Sequence, residues 1–138
     1  MTKKLAVGLA LLLSCLTIFV APTWARRFAL TASSRVPGAS GEVVTKNDKN
    51  GNTELVLSVK FLAPPASLTP PGTAYVVWFA TPDDPPMNEG QLKIDRNRKG
   101  DFRTHTPAKV FDIFVTVESD PTVKSPSDEG VLRTKVQP

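Results

Sequence analysis

The chain has 138 residues, with 17 Lys and Arg against 13 Asp and Glu, and it holds one His, one Cys and 13 Pro. One histidine and one cysteine cannot supply the usual four ligands of a zinc site, and no cofactor motif, such as a Gly-rich phosphate cradle, is present. The small positive balance does not argue for nucleic acid or an anionic membrane surface as partner.

Lys3 and Lys4 precede an almost wholly apolar run, Leu5 to Val20, and Ala21-Pro22-Thr23-Trp24-Ala25 places small residues at the −3 and −1 positions of a signal-peptidase site. The expectation is a secretory leader over residues 1–25, cut after Ala25, and a periplasmic or extracellular destination. The run is shorter than the roughly 20 residues a bilayer span needs, which weighs against an uncleaved anchor. Leu12-Leu13-Ser14-Cys15 is a degenerate lipobox, with Leu13 too bulky for its place, so lipidation at Cys15 is the lesser alternative. Removal of the leader takes away Lys3, Lys4 and the only cysteine, leaving a single domain with no disulfide and a net charge of 15 − 13 = +2.

Residues 26–40 read as an N-terminal loop or edge strand, with a possible strand at Phe28 to Ser33, and residues 41–138 read as the main domain. Gly41 to Lys46 is a short strand candidate. Asn50-Gly51 then predicts a hairpin with a type I′ turn. Leu55, Leu57, Val59 and Phe61 alternate with more polar neighbours, the period-two signature of a strand with one buried face. Pro64-Pro65 and Pro70-Pro71 bound an irregular crossover, because proline cannot donate to a ladder.

In the next stretch Tyr75, Val77 and Phe79 share one face and Val76 and Trp78 the other, so this strand should be central and covered on both sides, or should offer one face to a partner. A tryptophan on a central sandwich strand ordinarily packs against the opposite sheet. Leu92 and Ile94 mark a strand, Asn97-Arg98-Lys99-Gly100 a turn, and Phe102 to Thr106 its hairpin partner. Phe111, Ile113, Val115 and Val117 alternate with Asp112, Thr116 and Glu118, and Phe114 stands out on that otherwise polar face. Val131 to Val136 closes the chain. No segment shows capped helical periodicity. Seven or eight strands with turn signals every 8 to 12 residues predict an all-β fold, an antiparallel immunoglobulin-like β-sandwich.

His105 is the one residue that could anchor triad-type hydrolysis, and its strand position beside Arg103 favours exposure. Asp48, Asn50, Asn52 and Glu54 depart from the EF-hand spacing and suit a plain turn better than calcium. Asp83, Asp84 and Glu89 are an acidic group assigned to a turn rather than to glycosidase chemistry. Arg96, Arg98, Lys99 and Arg103 form the densest basic run. With Asp95 and Asp101 interleaved, it reads as a solvated hairpin tip, and a phosphate or lipopolysaccharide contact is the alternative.

The sequence from Tyr75-Val76-Val77-Trp78 through Gly90-Gln91-Leu92 and Phe114-Val115-Thr116-Val117-Glu118 to Pro126-Ser127 resembles the extracytoplasmic C-terminal domain of anti-sigma-K factors, and related secreted bacterial domains of unassigned role. The resemblance spans residues 73–136. It departs from the family where Asp120-Pro121 replaces a frequent Gly-Gly, and the sigma-binding domain and transmembrane helix have no counterpart here. It implies a shared fold without the sigma-factor function.

The function expected from these features is a secreted, non-catalytic binding or interaction module of the cell envelope, with an envelope protein or a glycan as partner. The partner surface is sought among Phe114, Trp78, Tyr75, Arg96, Arg98, Lys99 and Arg103. A small periplasmic hydrolase using His105, or a structural subunit that pairs by its edge strands, are the alternatives.

Overall fold

The computed structural model describes residues 24–138, so Cys15 and nearly all of the expected leader lie outside the described residues. The strands are β1 (Arg26–Ala29), β2 (Thr31–Ala32), β3 (Ser40–Asn47), β4 (Thr53–Lys60), β5 (Ala74–Ala80), β6 (Met87–Leu92), β7 (Gly100–Thr106), β8 (Phe111–Glu118) and β9 (Leu132–Val136). A single 3-10 turn, Pro65–Ser67, is the only helical element among the described residues. Two sheets form, ordered β1-β3-β4-β7 and β2-β9-β8-β5-β6, with every pairing antiparallel.

β3 and β4 form a hairpin in the first sheet, and the chain then crosses to the β5–β6 hairpin in the second. It returns as β7 beside β4 and crosses again to the β8–β9 hairpin. This repeated crossing is the Greek-key connection of immunoglobulin-like sandwiches.

The count of nine strands exceeds the expected seven or eight because the N-terminal segment is edge strand twice over. β1 lies along β3 and β2 along β9, so the chain changes sheets within a few residues. Leu30 makes the step. It is buried, and its amide donates to the Gly41 carbonyl at 2.9 Å. Gly41 permits that approach, since a Cβ there would stand 2.6 Å from Leu30 Cδ1.

The main core lies between the sheets and follows from alternation. β4 turns Leu55, Leu57 and Val59 inward, against Tyr75, Val77 and Phe79 of β5 and Ile113 and Val115 of β8. Each such aliphatic side chain contributes about 1.5–3 kcal/mol by leaving water. The Phe79 and Phe111 rings meet at 4.8 Å between centroids.

Because Tyr75, Val77 and Phe79 occupy the inner face of β5, Trp78 must point away from the opposite sheet. The expected packing of Trp78 on that sheet is therefore corrected. It sits in a second, smaller cluster with Val76 and Phe114 on the outer face, to which Ala80 and Val123 are added.

Three local expectations also change. Phe61 does not continue the alternation of β4: its φ is +57°, its side chain is 62% exposed, and Leu62 fills the core instead. The left-handed backbone at Phe61 reverses which of the two adjacent apolar residues points inward. The Asn50-Gly51 turn is not type I′, since only Gly51 has a positive φ, and Asn47 pairs with Thr53 to leave a five-residue connection. Finally, β6 and β7 are not a hairpin. They belong to different sheets, and residues 93–99 carry the chain between them.

Candidate binding surface at one end of the sandwich

The register gathers four connections at one end. Ser40 faces Lys60, Val59 faces Gly100, Tyr75 faces Leu92, Ala74 faces Glu118 and Val115 faces Leu132. Connections 33–39, 61–73, 93–99 and 119–131 therefore share that end, and 48–52, 81–86 and 107–110 occupy the other.

The four loops are tied to one another. Arg35 pairs with Asp128 (Nη1 to Oδ2, 2.9 Å) and donates from Nη2 to the Pro70 carbonyl at 2.9 Å, so one guanidinium links three of them. The Leu62 amide donates to the Arg98 carbonyl at 3.1 Å and brings in the fourth. Asn88 Nδ2 donates to the Pro121 and Val123 carbonyls at 2.8 and 2.9 Å, fixing the long loop to β6.

That loop covers the outer aromatic cluster through a buried chain of hydrogen bonds. Trp78 Nε1 donates to Thr116 Oγ1 at 2.7 Å, and Thr116 donates to Glu118 Oε1 at 2.6 Å. The same carboxylate oxygen accepts from the Ser127 amide at 2.9 Å and the Ser127 hydroxyl at 3.2 Å. Arg133 lies over the Phe114 ring, 4.8 Å from its centroid. These residues include Trp78, Thr116, Glu118 and Ser127 of the Tyr-x-x-Trp, Val-Thr-x-Glu and Pro-Ser pattern.

The seven sequence-predicted surface residues therefore divide. Trp78 and Phe114 are buried under the loop, and Tyr75 is buried in the main core with its hydroxyl donating to the Ala63 carbonyl, so these three leave the surface. Desolvation pushes the Tyr75 hydroxyl up to about 12. Arg103 stands apart from the basic turn, on β7, where it pairs with Glu54 at 3.0 Å. Lys46 shares that carboxylate at 3.2 Å and holds it below the usual carboxylate range, with Arg103 adding to the effect. Only Arg96, Arg98 and Lys99 remain together and exposed, on the 93–99 turn.

Within that turn Asp95 Oδ1 accepts from the Asn97 and Lys99 amides at 2.8 and 3.0 Å. The Asp95 amide donates to the Lys99 carbonyl, and the Arg98 amide to the Asp95 carbonyl. Arg98 has φ +59°. Phe61 was missed as a surface residue, because a phenylalanine in phase with an alternating strand reads as core. Between connections 61–73 and 93–99 lies an open cleft of about 340 Å³, floored by Pro64, Pro65, Leu92 and Ile94, with Lys93 among its lining residues.

The chemistry-bearing residues elsewhere are engaged or apart. His105 is exposed on β7 opposite Glu54, whose carboxylate is already taken by Lys46 and Arg103. Asp48 Oδ1 accepts from the Asn50 and Asn52 amides, which lower its pKa against a desolvation penalty that is the largest single influence, so the calcium reading gives way to a turn. Asp84 bonds with Thr81, while the Glu89 carboxyl, raised by desolvation, meets Thr104, so the acidic group does not converge. No protein-family model matches the chain, and neither curated proteins nor solved structures give a match.

Proposed function

We propose that this chain is an exported, non-catalytic binding module of the cell envelope, and that its partner surface is the four-loop end of the sandwich. The observation that carries the reading is the cross-tying of those loops. Arg35 holds three of them and the Leu62–Arg98 hydrogen bond the fourth, so exposed Phe61 and the basic turn stand on a rigid base. Binding residues concentrate on loops held by a rigid scaffold. The apolar run at residues 5–20 and the small residues at Thr23 and Ala25 support export.

The resemblance to the extracytoplasmic domain of anti-sigma-K factors agrees with such a location. The residues that carry it, Trp78, Thr116, Glu118 and Ser127, dock a loop onto a sheet. The shared pattern is thus one of architecture, and the resemblance carries no activity over to this chain.

The test is in-cell photo-crosslinking, with a reactive residue placed singly at Arg96 or Ala66 in the loop end and at Asp83 in the opposite end. Adducts from the first two sites and none from Asp83 are expected. Adducts from Asp83 alone, or turnover of an ester, phosphoester or glycoside by the purified chain, would overturn the reading.

A further inference from the structure

The chain contains one turn twice. In Asp48-Lys49-Asn50-Gly51-Asn52 the Asp48 carboxylate accepts from the amides of Asn50 and Asn52, the Asp48 amide donates to the Asn52 carbonyl, and the Gly51 amide donates to the Asp48 carbonyl. Asp95-Arg96-Asn97-Arg98-Lys99 repeats all four bonds at corresponding positions. The fourth residue is left-handed in both, with φ +79° at Gly51 and +59° at Arg98. Glycine meets that requirement without a steric penalty. At the second site an arginine stands where the first copy of the turn has glycine.

Phe61 and Arg98 are the two non-glycine residues with positive φ among the described residues, and the hydrogen bond from Leu62 to Arg98 makes them neighbours. Strained backbone of this kind clusters where function holds it. At Phe61 the strain turns a phenyl ring outward. Lys60, Lys93, Arg96, Arg98 and Lys99 lie on the same two segments, and none of them makes an ion pair among the described residues. The one carboxylate within the turn, Asp95, has an oxygen directed at backbone amides.

We propose that Phe61 and the 93–99 turn dock onto an anionic lipid bilayer, the cations meeting the headgroups and the ring entering the boundary with the acyl chains. A soluble polyanion would use the cations and leave the ring without a partner. A bilayer interface presents negative charge directly above apolar chains, and both features of the patch are then used. This inference rests on the loop end being the working surface.

The test is sedimentation of the processed chain, purified from cells, with phosphatidylglycerol–phosphatidylcholine vesicles and with phosphatidylcholine alone. Binding is expected to the first only, and to weaken as salt is raised. Phe61→Gly should weaken it roughly tenfold or more, and Arg98→Gly about fivefold, while both variants melt at a higher temperature than wild type. That rise in melting temperature separates loss of binding from loss of fold. Equal sedimentation with neutral vesicles, no sedimentation of wild type, or undiminished binding of Phe61→Gly would overturn the proposal. So would affinity for soluble polyphosphate that matches affinity for vesicles. If vesicles fail while Arg96 and Ala66 still crosslink to an envelope component, the loop end remains the working surface and only the bilayer is lost.

Discussion

Gly51 and Arg98 hold one station in two copies of the same turn, so each predicts the effect of substituting the other. A residue with a Cβ in the left-handed region costs about 1–2 kcal/mol, and glycine returns part of that through its freer unfolded chain. Arg98→Gly should therefore stabilise by about 0.5–1 kcal/mol, and Gly51→Arg should destabilise by about 1 kcal/mol, both read from denaturant midpoints at unchanged slope. Unchanged midpoints in both would show that the turn carries no strain.

Thr116 sits between the Trp78 indole and the Glu118 carboxylate. Thr116→Val preserves shape and leaves both partners short of a bond, at an expected cost of about 2–3 kcal/mol, and Thr116→Ser, which restores the hydroxyl, about 1 kcal/mol. A Thr116→Val loss no larger than that of Thr116→Ser would show that the hydroxyl bridge contributes little. Tyr75, the only tyrosine, holds its proton to about 12 in the folded chain, against about 10 for an ordinary phenol. Between those values the folded state binds more protons than the unfolded, so stability falls as pH rises through the window. The melting temperature of wild type should drop more steeply there than that of Tyr75→Phe, and parallel curves would contradict it.

At the scale of elements, alternation makes β4 and β8 legible in the sequence alone, because a half-buried strand must repeat every second residue, and β5 is legible as a continuous apolar run. The two apolar faces of β5 are plain in its sequence, but whether the outer face meets a cover or a partner, and what that cover is, are not. Residues 119–130 hold no long apolar run, and their docking depends on the adjacent Glu118 and on Asn88 and Arg35, two polar residues distant in sequence. The Phe61–Leu62 pair failed for a related reason. Periodicity cannot say which of two adjacent apolar residues turns inward when the backbone between them changes hand. The 93–99 segment read as a hairpin because Asn97-Arg98-Lys99-Gly100 has turn composition between two strand segments, and only sheet membership, which composition does not encode, separates the two cases. The partner surface was thus half visible, as Arg96, Arg98 and Lys99, and its aromatic member was hidden. The clasp at Arg35 carries a prediction of its own. Arg35→Ala removes a partly exposed ion pair and one bond to a carbonyl, so global stability should fall by only about 1 kcal/mol. Amide exchange across 119–131 should accelerate well beyond that change, and uniform acceleration through the sheets would refute a local role.

At the scale of the molecule, net charge concealed a direction. Residues 26–138 carry only 15 − 13 = +2, yet the basic 93–99 turn and the Asp83-Asp84 pair lie at opposite ends of the sandwich, while Asp120, Asp128 and Glu129 of the long loop share the end of the basic turn and offset part of its charge. The two apolar clusters raise the parallel question of whether this is one cooperative unit or a core with a removable outer layer. β5 and β8 supply both, Tyr75 and Val77 inward with Val76 and Trp78 outward, and Ile113 and Val115 inward with Phe114 outward. A strand cannot lose one face without disturbing its neighbours in register, since Trp78 pairs with Phe114 across the same ladder in which Val77 pairs with Val115. Cooperative unfolding of both clusters is therefore expected. In a chain starting at Arg26, Trp78 is the sole tryptophan, so its fluorescence reports the outer cluster while far-ultraviolet circular dichroism reports the sheets. The two transitions should coincide in wild type and, shifted by a loss of about 3–4 kcal/mol, in Phe114→Ala. A fluorescence change that precedes the loss of strand signal would instead show that the 119–130 loop opens on its own, and that the outer cluster is a separable cover rather than part of the fold's single transition.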